Sequence, residues 1–179
     1  MIPRKRLDIA WSDILVGMRY CLYPGKRRTI KDALQQALPT DISHFPCLSV
    51  RSGFDALLTT LNFEPGTEIL VSAITIHGMT RIIEGHGLVP IPIDIEMTTL
   101  TVCPQSMEQA VTSRTKAILV AHLFGSRMPM EPILSFAQTH DLLVIEDCAQ
   151  AYAGDKYWGH PQSDVSLFSF GPIKTTTAL

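Results

Sequence analysis

Positive charge is not in excess in this chain: fifteen Lys and Arg face seventeen Asp and Glu, a formal net charge of −2 over 179 residues. Without a basic field there is no electrostatic footprint for a phosphate backbone, and nucleic acid is not an expected partner. No apolar run approaches the roughly 20 residues that a membrane-spanning helix needs, so no membrane partner is expected. The four cysteines, Cys21, Cys47, Cys103 and Cys148, include no C-x-x-C pair, and none has histidines at zinc-finger spacing. They read as small buried hydrophobes in a reducing compartment, with no metal site, and the cytoplasm is the default location. The basic start Arg4-Lys5-Arg6 resembles the head of a secretory signal, but Asp8, Asp13 and Arg19 interrupt the apolar stretch behind it, so it reads as surface charge ahead of a helix. There is no internal repeat and no low-complexity segment. Charged residues are only 18% and apolar residues 46%, which excludes a disordered chain. The length fits one domain of ordinary size.

What is present is strand–helix alternation. Trp11, Ile14, Leu15, Met18 and Leu22 fall at helical spacing, with Ser12 as a candidate N-cap, and Tyr23-Pro24-Gly25 stops that helix. A second helix is predicted at about Thr29–Leu38, ending before Pro39. From Pro46 onward short apolar runs take over: Cys47–Val50, Ile69–Ser72, Val89–Ile93, Ala117–His122, Leu142–Glu146 and Val165–Phe170. Helical segments separate them, at about Phe54–Leu61, His77–Gly85, Pro104–Val111 and Pro132–His140. Runs such as Ala117-Ile118-Leu119-Val120 are apolar on both faces, as buried parallel strands are. The expected fold is α/β, a mostly parallel central sheet with helices on both faces.

In an open α/β sheet, ligands bind at the carboxyl ends of the strands, so the candidate residues are read there. Ser52-Gly53-Phe54 is either a phosphate cradle at a helix N-terminus or a plain turn. Thr75 is a candidate helix cap, and His77 either meets a ligand or is an ordinary helix-face histidine. His122, ending a buried strand, is either a site residue or a satisfied structural histidine. Glu146 and Asp147 follow a fully apolar strand. Their side chains alternate in direction, so at most one faces a given ligand, and the bland alternative is that both cap the next helix. The last segment, Ser166 to Lys174, ends a strand in Ser169, Gly171 and Pro172 ahead of a lysine. A serine there can bond a phosphate, and a partly desolvated lysine can become a nucleophile toward carbonyls.

Taken in order, these segments resemble the DegT/StrS nucleotide-sugar aminotransferases, pyridoxal-phosphate (PLP) enzymes of the aspartate-aminotransferase fold. The resemblance is carried by Ser113-Arg114-Thr115-Lys116-Ala117-Ile118 leading to His122-Leu123-Phe124-Gly125, by Ile145-Glu146-Asp147-Cys148-Ala149-Gln150-Ala151, and by Phe168-Ser169-Phe170 with Lys174. It implies that Lys174 bonds covalently to the cofactor and moves the proton, and that Asp147 pairs with the pyridinium nitrogen. It implies further that Gln150 meets the ring's hydroxyl side, and that Ser169 with Ser52, Gly53 and Phe54 holds the phosphate. Phe54 stands where the family commonly has threonine, and Ile76 where it has a ring-stacking aromatic, which makes His77 the candidate substitute. Arg51 and Phe54 mark a divergent branch. By the same resemblance, residues 1–45 are a helical lead-in and 46–179 are part of the PLP-binding large domain of a type I transferase. The expected partners are an amino donor and a sugar nucleotide, and the full-length form is expected to be a homodimer. The sequence ends five residues after Lys174. The small C-terminal domain is therefore expected to be absent, and the chain to be the N-terminal part of an aminotransferase. The alternative is a non-catalytic remnant that binds cofactor or a partner. A third reading, a relative that uses the cofactor for dehydration, is opposed by Lys174, because such relatives replace that lysine.

Overall fold

A computed structural model describes residues 10–23, 43–152 and 157–170. The chain divides into two compact units, Met1–Cys47 with Phe170–Leu179, and Leu48–Ser169. In the first, helix α1 spans Trp11–Leu22. It begins one residue earlier than the expected cap: Ala10 occupies the N-cap, and its N–H donates to Asp13 Oδ2 at 2.8 Å, so Ser12 lies inside the helix. The helix predicted at 29–38 lies outside the described residues.

The second unit contains α2 (Val50–Leu61), β1 (Glu68–Ser72), α3 (His77–Gly85), β2 (Val89–Ile93), α4 (Pro104–Ala110), β3 (Thr115–Ala121), α5 (Glu131–His140), β4 (Leu143–Asp147) and β5 (Val165–Leu167). All five strands are parallel, in the order β2-β1-β3-β4-β5. The chain first adds β2 on one side of β1 and then β3 on the other. That reversal is the topological switch at which such sheets open a crevice.

The predicted strand at Cys47–Val50 does not form. Ser49 instead caps α2, and the helix begins at Val50, four residues upstream of the expected Phe54. Four residues of mixed polarity with a capping serine are better satisfied as a helix entrance than as an unpaired strand. β5 is also shorter than expected and stops at Leu167.

Strand parity sorts the core into two layers. Ile69, Val71, Ala117, Leu119 and Ile145 face α2 and α3, where they meet Phe54, Leu58, Met79 and Ile83. Leu70, Ile118, Val120 and Val144 face the other side, against Met107 of α4 and Ile133, Phe136 and Ala137 of α5. Helices therefore cover both faces. At the amino edge, the Glu68 carboxylate is buried and accepts from Thr112, Thr115 and Arg114. The Thr112 and Arg114 bonds outweigh the effect of burial and lower its pKa. The Arg114-Thr115 motif thus has a structural duty. Among the described residues, no helix is long and apolar enough to cross a membrane.

Candidate active site

The carboxyl edge of the sheet presents Ser72, Ala121, Asp147 and Leu167, the last residues of β1, β3, β4 and β5. Ser72 Oγ accepts from the Ala121 N–H at 3.2 Å and ties β1 to β3 at the switch. α2 leads into the amino end of β1 and packs against β5 and α3. It therefore runs antiparallel to the strands, and its N-terminus opens on the carboxyl edge. α3 follows directly from β1, so its N-terminus opens there too. A surface cavity of about 410 Å³ lies beside α5 and the amino end of β4, the opposite end from Asp147.

The head of α2 can be accounted for donor by donor. A helix leaves four leading N–H groups without intrahelical acceptors, here those of Ser49, Val50, Arg51 and Ser52. A capping box uses two of them: Ser49 N–H donates to Ser52 Oγ at 3.0 Å and Ser52 N–H to Ser49 Oγ at 3.1 Å. Gly53 N–H makes the first helical bond, to Ser49 O at 3.0 Å. Among the described residues, the N–H groups of Val50 and Arg51 have no acceptor. The expected cradle of Ser52, Gly53 and Phe54 is therefore drawn one turn into a helix, where its N–H groups already have acceptors. The Ser52 hydroxyl donates to Ser49 O at 2.8 Å, and the Phe54 ring is fully buried in the core.

Adjacent carboxylates separate as strand alternation demands, and among the described residues neither caps a helix. Asp147 shares its parity with the α2/α3 side, is 7% exposed, and accepts from Ala149 N–H at 3.0 Å on Oδ1. Glu146 turns to the opposite side and is fully buried. His122 Nδ1 accepts from Met128 N–H at 3.2 Å, which places the ring proton on Nε2, and Nε2–H donates to Glu146 Oε2 at 2.8 Å. Tyr157 Oη–H donates to the same oxygen at 2.7 Å, and His160 N–H donates to Oε1 at 2.7 Å. Burial alone would raise the Glu146 pKa, but these donors hold it down to about 2.

The same network fixes its neighbours. Burial, then the charges of Glu146 and Asp147, push the Cys148 thiol up, so it stays protonated. His122, Glu146 and Cys148 bring ligand-type atoms within 4.8 Å of one another. The imidazole proton, the carboxylate lone pairs and the thiol proton are already used among themselves, which makes this a hydrogen-bonded anchor. The Arg127 guanidinium lies 4.2 Å from the Tyr157 ring centroid and donates to Ala151 O at 3.4 Å. The β3–α5 and β4–β5 connections at the carboxyl edge are thereby bound to one buried charge. His122 takes the structural one of its two readings. Tyr157, His160 and Arg127 had no sequence signal of their own. The His122–Glu146 contact had one: both are even-numbered residues at the ends of neighbouring parallel strands.

Among the other candidates, Gln150 Oε1 accepts from Phe124 N–H at 3.2 Å and keeps its NH2 end as a donor. That bond holds Phe124 at φ 57°, a strained conformation for a bulky residue, with its ring exposed. Ser169 lies two residues past β5. His77 is exposed and is the first residue of α3. Thr75 does not cap that helix. The N-cap is Ile76, and Thr75 Oγ1 is buried with no hydrogen-bond partner among the described residues. Lys174 lies outside the described residues.

This edge offers an acid, uncommitted N–H donors at a helix head and a hydroxyl seeking a partner, a donor set that fits a ring cation joined to a phosphate. Residues 30–179 match the DegT/DnrJ/EryC1/StrS aminotransferase family. The chain belongs to that family. It is 35% identical over 177 residues to dTDP-3-amino-3,4,6-trideoxy-alpha-D-glucose transaminase of Streptomyces venezuelae, covering 96% of this chain and 45% of that one. It shares 31% identity, with a TM-score of 0.62, with the structure of ntda from Bacillus subtilis with bound cofactor PMP, over 72% of this chain and 29% of that one. The PLP form of Spr1654 from Streptococcus pneumoniae has the same fold over 98% of this chain and 50% of that one, with a TM-score of 0.79 and 22% identity. The chain spans between 28% and 45% of the length of the curated relatives it matches.

Proposed function

We propose that this chain is the cofactor-carrying part of an aminotransferase that uses PLP to move an amino group from a small donor onto a keto-sugar nucleotide. The observation that carries this reading is Asp147, an almost buried carboxylate at the carboxyl end of β4, on the α2/α3 side and at the edge where α2 begins. A carboxylate so placed keeps a proton on a pyridine nitrogen. When bound, the cofactor supplies an electron sink for charge that develops at the substrate carbon. Lys174 anchors the cofactor covalently and then carries the proton to and from that carbon. With the cofactor bound, Gln150 would donate to the ring's hydroxyl side, Ser169 and the first turn of α2 would hold the phosphate, and His77 would take the place of the stacking aromatic. The full-length protein is read as a homodimer, with residues 46–179 belonging to its large domain.

Titration of the chain with PLP tests this reading. The expected result is a visible absorption band of lysine-linked cofactor that is missing in Lys174→Ala and shifts when glutamate is added as amino donor. Folded protein that gives no band overturns the reading, and a band that never shifts favours a non-catalytic cofactor-binding domain. In a full-length parent, Asp147→Asn should lower kcat by about 10²- to 10³-fold, the scale of one lost preorganised charge contact, with a smaller effect on cofactor affinity.

A further inference from the structure

β4 and β5 end together, and the chain just past β5 is held by side chains. The parallel pairing runs to Asp147↔Leu167, and one further bond, Cys148 N–H to Leu167 O at 2.9 Å, locks that end. Beyond Leu167 the described residues form no further ladder. Phe168 is gripped instead by two rings from the β4–β5 connection. Its centroid lies 5.7 Å from that of Trp158 with planes at 62°, and 6.1 Å from that of Tyr152 at 88°. Tyr152 and Trp158 are themselves 5.3 Å apart at 52°. Edge-to-face contacts at these separations are directional, so three rings fix orientation as well as place. All three are half-buried, and neither core layer includes them, so they form a separate anchor at the rim. The segment that delivers Trp158 is pinned in turn: Tyr157 and the His160 N–H both donate to the buried Glu146 carboxylate. The grip on Phe168 therefore traces back to β4, the strand that also carries Asp147.

We propose that the Tyr152–Trp158–Phe168 cluster is a positioning device: by clamping Phe168 to the β4–β5 connection, it holds the next residue, Ser169, in register with Asp147. This rests on the PLP reading and deepens it, adding three residues that act through Ser169 and not by contact. The ring nitrogen and the phosphate of one cofactor are a fixed distance apart. An acid that meets one and a serine that meets the other must be held to a matching separation, because a misplacement of about 1 Å forfeits one of the two contacts. Asp147 is fixed by the ladder, whereas Ser169 lies two residues past its end and depends on the rings.

The test compares the affinity of the full chain for PLP and for pyridoxal, which lacks the phosphate. Ser169→Ala should weaken PLP binding by about 10-fold, the worth of one hydrogen bond to a charged group, and leave pyridoxal binding unchanged. Trp158→Ala frees Phe168 and should weaken PLP binding by about 3- to 10-fold, again with pyridoxal unchanged. Trp158→Phe, which keeps a ring, should recover most of that loss. The double variant should bind PLP no worse than Ser169→Ala alone, because a misplaced serine and a missing one lose the same contact. Losses that multiply in the double variant, or an equal loss for PLP and pyridoxal, overturn the proposal, since a merely structural cluster would give either. Where circular dichroism shows that Trp158→Ala does not fold, Phe168→Leu is measured in its place, and the same coupling to Ser169→Ala is required. If Ser169→Ala weakens PLP binding and Trp158→Ala does not, the clamp alone falls. If Ser169→Ala binds PLP as tightly as the unmodified chain, the phosphate role of Ser169 and the clamp fall together while the cofactor reading stands. If the unmodified chain binds no PLP, all three fall.

Discussion

Glu146 shows what a single residue does here. It is fully buried and holds its charge through donors that include His122, Tyr157 and His160. Removing the carboxylate strands those donors in a dry interior. Glu146→Ala is therefore expected to cost about 3–5 kcal/mol, measured by urea denaturation, as breaking a buried ionic cluster does. Glu146→Gln should cost less, because one amide oxygen still accepts, but its NH2 end faces N–H donors that lose their acceptor. Asp147 has a different duty. Its carboxylate stands at the edge where a ligand is expected, so substitution there should show in chemistry before it shows in stability.

At the scale of the element, the entrance of α2 and the loop before β5 are the exacting places. Ser49 and Ser52 together satisfy two N–H groups of α2, so Ser49→Ala should lower stability by about 1 kcal/mol and fray the turn that carries Arg51. The loss is readable as a shift in the denaturation midpoint at unchanged slope. Gly159 has φ 97°, and a Cβ there would stand 1.9 Å from Ser166 Oγ and 3.4 Å from Glu146 Oε1. Gly159→Ala is expected to cost more than about 1 kcal/mol, because it combines an unfavourable backbone with a collision against the buried network. A thermal melt matching that of the unmodified chain would overturn this. β2 illustrates a quieter constraint. Val89 N–H bonds inward to Thr67 O, so Pro90 and Pro92 fall where the missing N–H faces away from β1, which suits an edge strand.

The molecule as a whole should be sensitive to acid. Glu146 has a folded pKa near 2 against an ordinary value of 4.5, and Glu68 is also lowered. A group depressed in the folded state contributes stability above its unfolded pKa and loses it as pH falls through the folded one. Stability should therefore be level in this respect above about pH 4.5 and decline between pH 4.5 and about 2. The two carboxylates lie at opposite edges of the sheet, Glu68 opening β1 and Glu146 near the end of β4, so both edges weaken together. Denaturation midpoints measured across this range check the prediction: Glu146→Gln should flatten the decline, and an unchanged pH profile would sink it.

Much of this architecture was legible in the residues alone. Alternating apolar runs and helical spacing predicted β2 and α3 at their observed bounds, and the parity of Glu146 and Asp147 implied that only one would face a given ligand. Motif order along the chain resembled one family, and the match of residues 30–179 to that family bears it out. Other features depended on the folded arrangement. Local pattern read Cys47–Val50 as a strand, since an apolar run does not reveal whether a neighbouring strand is there to pair with it. Whether Ser52 and Gly53 offered free N–H groups depended on where α2 began, and that was set by a serine cap. The partners of Glu146 come from positions 122, 157 and 160, brought together by parallel strands and loop closure. Propensity and periodicity act over a few residues and can be read in order. Satisfaction of buried charge and of helix ends is settled between segments far apart in sequence, and only the tertiary structure decides it.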